Sequence, residues 1–182
     1  MRILSLSVIV LCLFLSSCFL MSHDVVIDNP SNYKLSVFLD EETFILAPKN
    51  SIEISVSHGK HQVRVIENSS KIEKFIWKDL AIKSDGILNI SGSEYVIEHC
   101  IFNNFENTTT KDNKKKSVII NDFTYYGNLE LIKADSIFIP KSWDRGLEEN
   151  ISSIDDVNPR NKTLSKIFRV GDFENDFLRN VR

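Results

Sequence analysis

Among the four histidines of the chain, His58 and His61 are the two that lie close together. Each imidazole can supply one ligand to a metal ion, so this pair could begin a metal site. The pair has no HExxH pattern, and no cysteine pair or acidic ligand lies near it in sequence. Because residues three apart on a strand point to opposite faces, the two rings would diverge there. We therefore predict neither a metal site nor a cofactor.

Two carboxylates, Glu94 and Glu98, have the same parity in a segment that alternates like a strand, so they could share one face. Glycoside hydrolysis uses two carboxyl groups about 5–9.5 Å apart, one of them with a raised pKa. The chain has no GxSxG nucleophile motif and no glycine-rich phosphate loop. We predict that the protein is not an enzyme, and an envelope hydrolase acting through Glu94 or Glu98 stays as a third hypothesis.

Four aromatic side chains could stack on the faces of sugar rings: Trp77, Tyr125, Tyr126 and Trp143. An exposed cluster of these rings would form the platform of a carbohydrate-binding module. The competing interpretation places them in the hydrophobic core, where large aromatic side chains bury most area. The sequence leaves both interpretations open.

The first eighteen residues form a typical export signal. Arg2 supplies a positive charge, and an apolar run extends from Ile3 to Leu15. As a helix this run measures about 20 Å, which is too short for a bilayer core of about 30 Å. The pattern therefore indicates a secretory signal rather than a membrane-spanning helix.

The end of this signal, Leu15-Ser16-Ser17-Cys18, resembles the bacterial lipobox. The resemblance implies that residues 1–17 are removed, that Cys18 carries the lipid, and that residues 18–24 form the acylated tether. Each buried CH₂ of the acyl chains contributes about 0.8 kcal/mol of membrane binding. In such proteins of two-membrane bacteria, an Asp after the cysteine usually signals retention in the inner membrane, so Phe19 resembles the outer-membrane default. The alternative is an ordinary signal peptide cut near Ser17 or Ser22, which would release a soluble protein.

The cysteine count and the net charge limit which disulfides and which partners the chain can have. With Cys12 in the signal and Cys18 acylated, Cys100 has no partner for an intramolecular disulfide and is predicted to be a small buried apolar residue. The formal net charge of −3 does not indicate a nucleic-acid partner. Four lysines within 111–116 are expected to keep a hairpin tip soluble, although they could also touch anionic headgroups or wall polymers.

Residues 25–140 show the period-two pattern of a β-sandwich. Residues 51–57, for example, alternate between apolar Ile52, Ile54 and Val56 and polar neighbours. About ten such segments, separated by turn-forming residues, predict a mainly β fold, an antiparallel Ig-like sandwich with a short C-terminal helix. The segments could form one domain or two sub-units that meet near residue 83.

Part of this pattern is similar to a PEGA-type module, a small surface β-sandwich of bacterial envelope proteins. The similarity covers about residues 25–80 and rests on Asn29-Pro30, on the strand 37–40 that ends in Asp40, and on the pair Gly59 and His61. The glycine that usually follows the aspartate is Glu41 in this chain. The resemblance implies an envelope module with a binding or structural role and no catalytic residues.

The rest of the chain is expected to add a long hairpin and a tail. Segments 95–103 and 117–126 are predicted to pair with each other. Residues 141–182 are predicted to form a loop followed by a helical tail, with helix within 173–181.

Together these features predict a lipid-anchored envelope protein with a non-enzymatic structural or binding role. The expected partners are the membrane, through Cys18, and an envelope protein or polysaccharide. A surface carbohydrate-binding module is the alternative.

Overall fold

The computed structural model describes residues 21–101, 116–149 and 163–180. Within these ranges the chain forms thirteen strands and one C-terminal helix, which confirms the prediction of a mainly β, sandwich-like fold. The strands are β1 Ser22–Asn29, β2 Leu35–Leu39, β3 Glu42–Leu46, β4 Asn50–Ser57, β5 Gly59–Glu67, β6 Glu73–Ile82, β7 Gly86–Asn89, β8 Tyr95–Ile101, β9 Lys116–Ile120, β10 Phe123–Gly127, β11 Leu129–Ile132, β12 Phe138–Pro140 and β13 Thr163–Arg169. The helix α1 spans Val170–Asn180.

The strands are arranged as four layers. The central sheet has the order β12-β7-β1-β4, and the outer sheet on one side of it has the order β3-β2-β5-β6. On the other side lies the back sheet, β11-β8-β13, and beyond that sheet lie the hairpin β9–β10 and α1. Strands β1 and β7 run parallel, while the other strand pairs of the described sheets run antiparallel.

Because the central sheet is covered on both faces, its strands are apolar on both faces. Val25 and Ile27 point toward the outer sheet, whereas Val26 and Ile87 point toward the back sheet. The four residues of β7 are all buried, as expected for a strand with no solvent-facing side.

Three apolar clusters fill the spaces between the layers. The first, between the central and outer sheets, contains Val25, Ile27, Leu35, Val37, Leu39, Leu46, Val56, Val63, Val65, Ile82, Leu88 and Ile90. The second, between the central and back sheets, contains Ile87, Tyr95, Ile97, Ile139, Trp143 and Ile167. The third, between the back sheet and the hairpin with α1, contains Val96, Val118, Ile120, Leu129, Phe168 and Phe173.

Two buried asparagines fix the points at which the chain leaves the central sheet. Asn29 ends β1, and its amide donates to the carbonyls of Tyr33 at 2.8 Å and Ala47 at 2.9 Å. Asn89 ends β7, and its amide donates to the carbonyls of Ser93 at 2.8 Å and Ser136 at 3.1 Å. The first arch leads to the outer sheet and the second to the back sheet.

The predicted long hairpin between residues 95–103 and 117–126 is wrong. Strand β8 pairs with β11 and β13, and the segment 117–126 is itself a hairpin of β9 and β10. Its turn residues Asn121 and Asp122 have positive φ angles of 48° and 67°, as a two-residue type I′ turn requires.

The carboxyl-terminal part of the chain also differs from the prediction of a loop and helical tail. Residues Thr163–Arg169 form β13 in the back sheet, and Trp143 of the preceding loop is buried in the second cluster. The helix predicted within 173–181 is present as α1. The sequence left open whether the chain divides into two sub-units near residue 83. In the structure the segments on either side of that residue share the central sheet, because β7 pairs directly with β1.

No helix within the described ranges is both long enough and apolar enough to cross a membrane. The predicted signal 1–17, the lipid-bearing Cys18 and Lys111, Lys114 and Lys115 lie outside those ranges, whereas Lys116 opens β9 and is exposed.

Candidate functional site

A buried charged cluster joins the central sheet to the back sheet. Arg169, the last residue of β13, directs its guanidinium at Asp28 of β1, with Nη2–Oδ1 at 2.7 Å and Nε–Oδ2 at 3.1 Å. Asp28 is completely buried, and the Arg169 side chain is 8% exposed. This two-pronged contact is the geometry in which an arginine fork binds a carboxylate most strongly.

Three further side chains complete the charged cluster. The Tyr95 hydroxyl donates to Asp28 Oδ2 at 2.8 Å. Arg169 also donates to Glu148 Oε1 at 2.6 Å and to Asp172 Oδ2 at 3.2 Å, and both of these carboxylates are largely exposed. The cluster therefore runs from the interior to the surface and connects β1, β8, β13, the loop after β12 and the first turn of α1.

The contacts decide the protonation states within the charged cluster. Burial raises the pKa of Asp28, while Arg169 and Tyr95 act in the opposite direction. Burial alone would lower the pKa of Arg169, but the hydrogen bonds and charges of Asp28 and Glu148 outweigh it and raise that pKa. Burial and the Asp28 charge raise the pKa of Tyr95 well above its ordinary value, so its hydroxyl stays a donor. Because the contacts to Asp28 come from N–H and O–H donors, the geometry fits an ionised carboxylate.

The exposed members of the cluster line two shallow cavities. Glu148 lines a cavity of about 270 Å³ beneath the loop that carries Trp143. Arg169 and Asp172 line a second cavity of about 370 Å³ at the start of α1. The Asp28 carboxylate lies beneath these residues with its oxygens already bonded, so its chemical role is to hold Arg169 and the layers in place.

A histidine pair, His23 and His58, lies at the opposite end of β1. His23 Nε2 and His58 Nδ1 are 3.1 Å apart, and the other ring nitrogen of His23 is 3.6 Å from Asp85 Oδ1. His58 and His61, which were considered from the sequence as a possible pair and expected to diverge, contact different partners. Within the described ranges, no group of three or more histidine, cysteine or acidic residues is arranged to hold a metal ion.

His61 is a buried ring that fastens a turn of the outer sheet. Its Nε2 donates to the Ser57 carbonyl at 2.8 Å, and its Nδ1 lies 2.7 Å from Asp40 Oδ2. Each ring nitrogen of His61 thus faces a hydrogen-bond acceptor. Partial burial raises the pKa of Asp40, but the Gln62 amide and the His61 ring outweigh it and hold that pKa below its ordinary value.

The two carboxylates of the hydrolase hypothesis lie on the same strand region but in different surroundings. Glu94 lines the cavity at the start of α1, and Glu98 is not among the residues of that cavity. Burial and the nearby Asp176 charge raise the pKa of Glu98, while Lys166 lowers it.

The four aromatic side chains of the carbohydrate hypothesis are spread over separate layers. Trp77 stacks on Phe75 at 5.0 Å against the first apolar cluster, and Trp143 is only 7% exposed in the second. Tyr125 is half-buried against α1, whereas Tyr126 is 65% exposed on the outer side of the hairpin. Among the four, only Tyr126 is presented to solvent.

Sequence reasoning missed the residues that form the two polar sites. Tyr95 and Arg169 lie 67 and 141 positions after Asp28 in the sequence, and no local motif links the three residues. His23 was missed because its partner, His58, lies 35 residues away, directly after the neighbouring strand β4. The sequence does show one sign of the charged cluster, because Asp28 is a charged residue near the end of an apolar segment.

Comparison of the chain with models of protein families, with curated proteins and with solved structures finds no match.

Proposed function

We propose that this chain is a lipid-anchored protein of the bacterial cell envelope with a non-enzymatic, structural or binding role. Its anchor is the acylated Cys18, and its β-sandwich domain holds or presents a binding surface close to the membrane. The PEGA-like order of residues 25–80 is in keeping with a role of this kind.

The observation that carries the proposal is the short distance between the lipobox cysteine and the fold. Strand β1 begins at Ser22, four residues after Cys18. A fully extended chain of that length reaches at most about 14 Å, so the domain would lie directly against the lipid headgroups.

The position of β1 suits a strand that carries the anchor. It lies in the interior of the central sheet, with eight residue pairs to β4 on one side and four to β7 on the other. At its far end, Asp28 ties it to β13 through Arg169. A pull on the tether would therefore be distributed over the central and back sheets.

The binding role is supported by an apolar strip on the hairpin β9–β10, the layer farthest from the outer sheet. Ile119 and Tyr126 share the outer face of the hairpin in the β9–β10 register, and each is 65% exposed. The carbohydrate-binding alternative depends on this same strip, because Tyr126 is the ring among its four candidates that could stack on a sugar.

Replacement of the acylated cysteine tests the anchor. Cys18→Ala should move the protein from the membrane fraction to the soluble fraction, or leave it as an uncleaved precursor of higher mass. Cys12→Ala, which changes the other cysteine of the signal, should leave the protein in the membrane at its mature mass. Mature Cys18→Ala protein that stays in the membrane fraction would contradict the proposal.

The binding role is tested separately with a photo-crosslinking amino acid introduced into living cells. Placed at position 126, on the exposed strip, it should yield discrete adducts with an envelope protein or polysaccharide. Placed at position 143, in the core, it should yield none. Equal yields at both positions, or no adduct from position 126, would argue against a binding surface on the hairpin.

A further inference from the structure

We propose that the histidine pair, His23 and His58, is a binding site for a divalent transition-metal ion, of the kind that imidazole nitrogen binds well, such as Cu²⁺ or Zn²⁺. The inference does not depend on lipidation of Cys18. It replaces the expectation, drawn from His58 and His61, that the chain has no metal site.

The separation of the two ring nitrogens is the first observation. His23 Nε2 and His58 Nδ1 are 3.1 Å apart. Two imidazole nitrogens that each lie about 2.0–2.1 Å from a tetrahedral ion are about 3.3 Å from each other. A metal ion could therefore replace the hydrogen bond between the rings with a shift of only a few tenths of an ångström.

The backbone that carries the rings is fixed by strand pairing. His23 is opposite Val56 in the β1–β4 register, so His58 occupies the diagonal position on the same face. The His58 amide donates to the Met21 carbonyl at 2.7 Å, which extends the pairing past the end of β4. The ring centroids are 5.4 Å apart at an interplanar angle of 51°. Both ligands thus come from a paired β-ladder, so little ordering is needed when an ion binds.

Asp85 places a carboxylate near the ring nitrogen of His23 that does not face His58. Its Oδ1 is 3.6 Å from His23 Nδ1 and accepts a hydrogen bond from the Asp24 amide at 3.1 Å. A carboxylate at Nδ1 favours the tautomer in which Nε2 carries the free lone pair, and that lone pair then faces His58. The His23 side chain is 12% exposed, so its orientation is held by its surroundings, whereas His58 is exposed and can be reached from solvent.

The two imidazoles provide two ligands, and water would complete the coordination shell. In the metal-free protein one ring must donate the proton of the hydrogen bond between them. When the ion binds, the proton of the neutral His58 ring must lie on Nε2, so that Nδ1 offers its lone pair to the ion. Because protons compete with the ion for imidazole nitrogen, binding weakens as the pH falls. Affinity should follow the general order for nitrogen ligands, with Cu²⁺ bound more tightly than Zn²⁺.

Titration of the full chain with Cu²⁺ tests the site. The protein is purified in detergent with a tag that contains no histidine, and binding is followed by calorimetry and by electron paramagnetic resonance. We expect one Cu²⁺ per chain with nitrogen couplings from two imidazoles. His58→Gln and His23→Gln should each weaken binding by about tenfold or more, and Asp85→Asn by about tenfold.

His99→Gln is the matched control, because His99 is a partly exposed histidine on β8 whose nearest charged partner is Glu130 at 4.0 Å. It should bind Cu²⁺ like the unchanged protein. Since His58 is exposed, His58→Gln should keep the fold, which circular dichroism verifies, and it therefore decides the test even if His23→Gln is unstable. Unchanged Cu²⁺ affinity and unchanged nitrogen couplings in His58→Gln would overturn the proposal.

Discussion

At the scale of single residues, the ion pair between Asp28 and Arg169 joins the central sheet to the back sheet. Removing two charges from water costs several kcal/mol for each ion, and this cost is offset only where geometry and further hydrogen bonds are favourable. Both conditions hold here, since Asp28 receives the arginine fork and the Tyr95 hydroxyl. We infer that the pair specifies how the central and back sheets align.

Asp28→Asn should therefore destabilise the protein strongly. The substitution keeps the size of the side chain but leaves the buried Arg169 without its main counter-charge, which typically costs about 3–5 kcal/mol. Glu148→Gln removes the exposed partner of the same guanidinium and should cost less than about 1 kcal/mol. Urea unfolding measures the free energy of unfolding of both variants. Equal losses of this free energy would show that the buried partner of Arg169 contributes no more to stability than the exposed one.

The contact between Asp40 and His61 predicts how stability depends on pH. A carboxyl whose pKa is lower in the folded chain contributes stability above its unfolded pKa, near 4, and this contribution is lost as the pH falls through the folded value. Asp40→Asn should thus flatten the loss of stability as the pH falls below about 4. Thermal melts across this range provide the measurement, and an unchanged slope would refute the assignment.

Contacts of this kind, between residues that are distant in the chain, could not be predicted from the sequence. It showed an aspartate at the end of an apolar strand, but its partners Tyr95 and Arg169 come from strands that are adjacent only after folding. Likewise, His61 was grouped with His58 by spacing, whereas its actual partner is Asp40 across a turn.

At the scale of elements, the two asparagine arches determine the order of the layers. Asn29 and Asn89 are both followed by a serine two positions later, and both donate to the carbonyl four positions ahead. A short polar side chain that satisfies backbone carbonyls is what an arch needs when it buries those groups. The same local device thus directs the chain to opposite sides of the central sheet.

Asn29→Ala and Asn89→Ala should each lower the free energy of unfolding by about 1–3 kcal/mol, because each leaves buried backbone carbonyls without a donor. Asn32→Ala, at an exposed position of the first arch, should change it by less than about 0.5 kcal/mol. Chemical denaturation of the three variants gives the values. A loss at Asn32 as large as at Asn29 would mean that the arch as a whole, not the buried amide, is responsible.

Most elements with one exposed face were predictable, because alternation reveals them, as it did for β4 and β5. Strand β13 was missed for a physical reason. Ile167 faces the central sheet and Phe168 faces the hairpin and α1, so both faces of the strand are apolar and the period of two disappears. The resulting spacing resembled that of a helix.

At the scale of the whole molecule, the fold has two distinct ends. The amino-terminal end of β1 begins at Ser22, within the predicted tether 18–24, and carries His23 of the histidine pair, and its other end carries Asp28 of the charged cluster. On our proposal, the first end faces the membrane surface. A bound metal ion at the histidine pair would then lie between the domain and the lipid headgroups.

The most direct test of the central claim is mass spectrometry of the mature amino terminus, isolated from the membrane fraction of the native organism. We predict that the terminal residue is Cys18 and that its sulfur carries a diacylglyceryl group. An unmodified Cys18, or a mature chain that begins at another residue such as Ser22, would contradict the account.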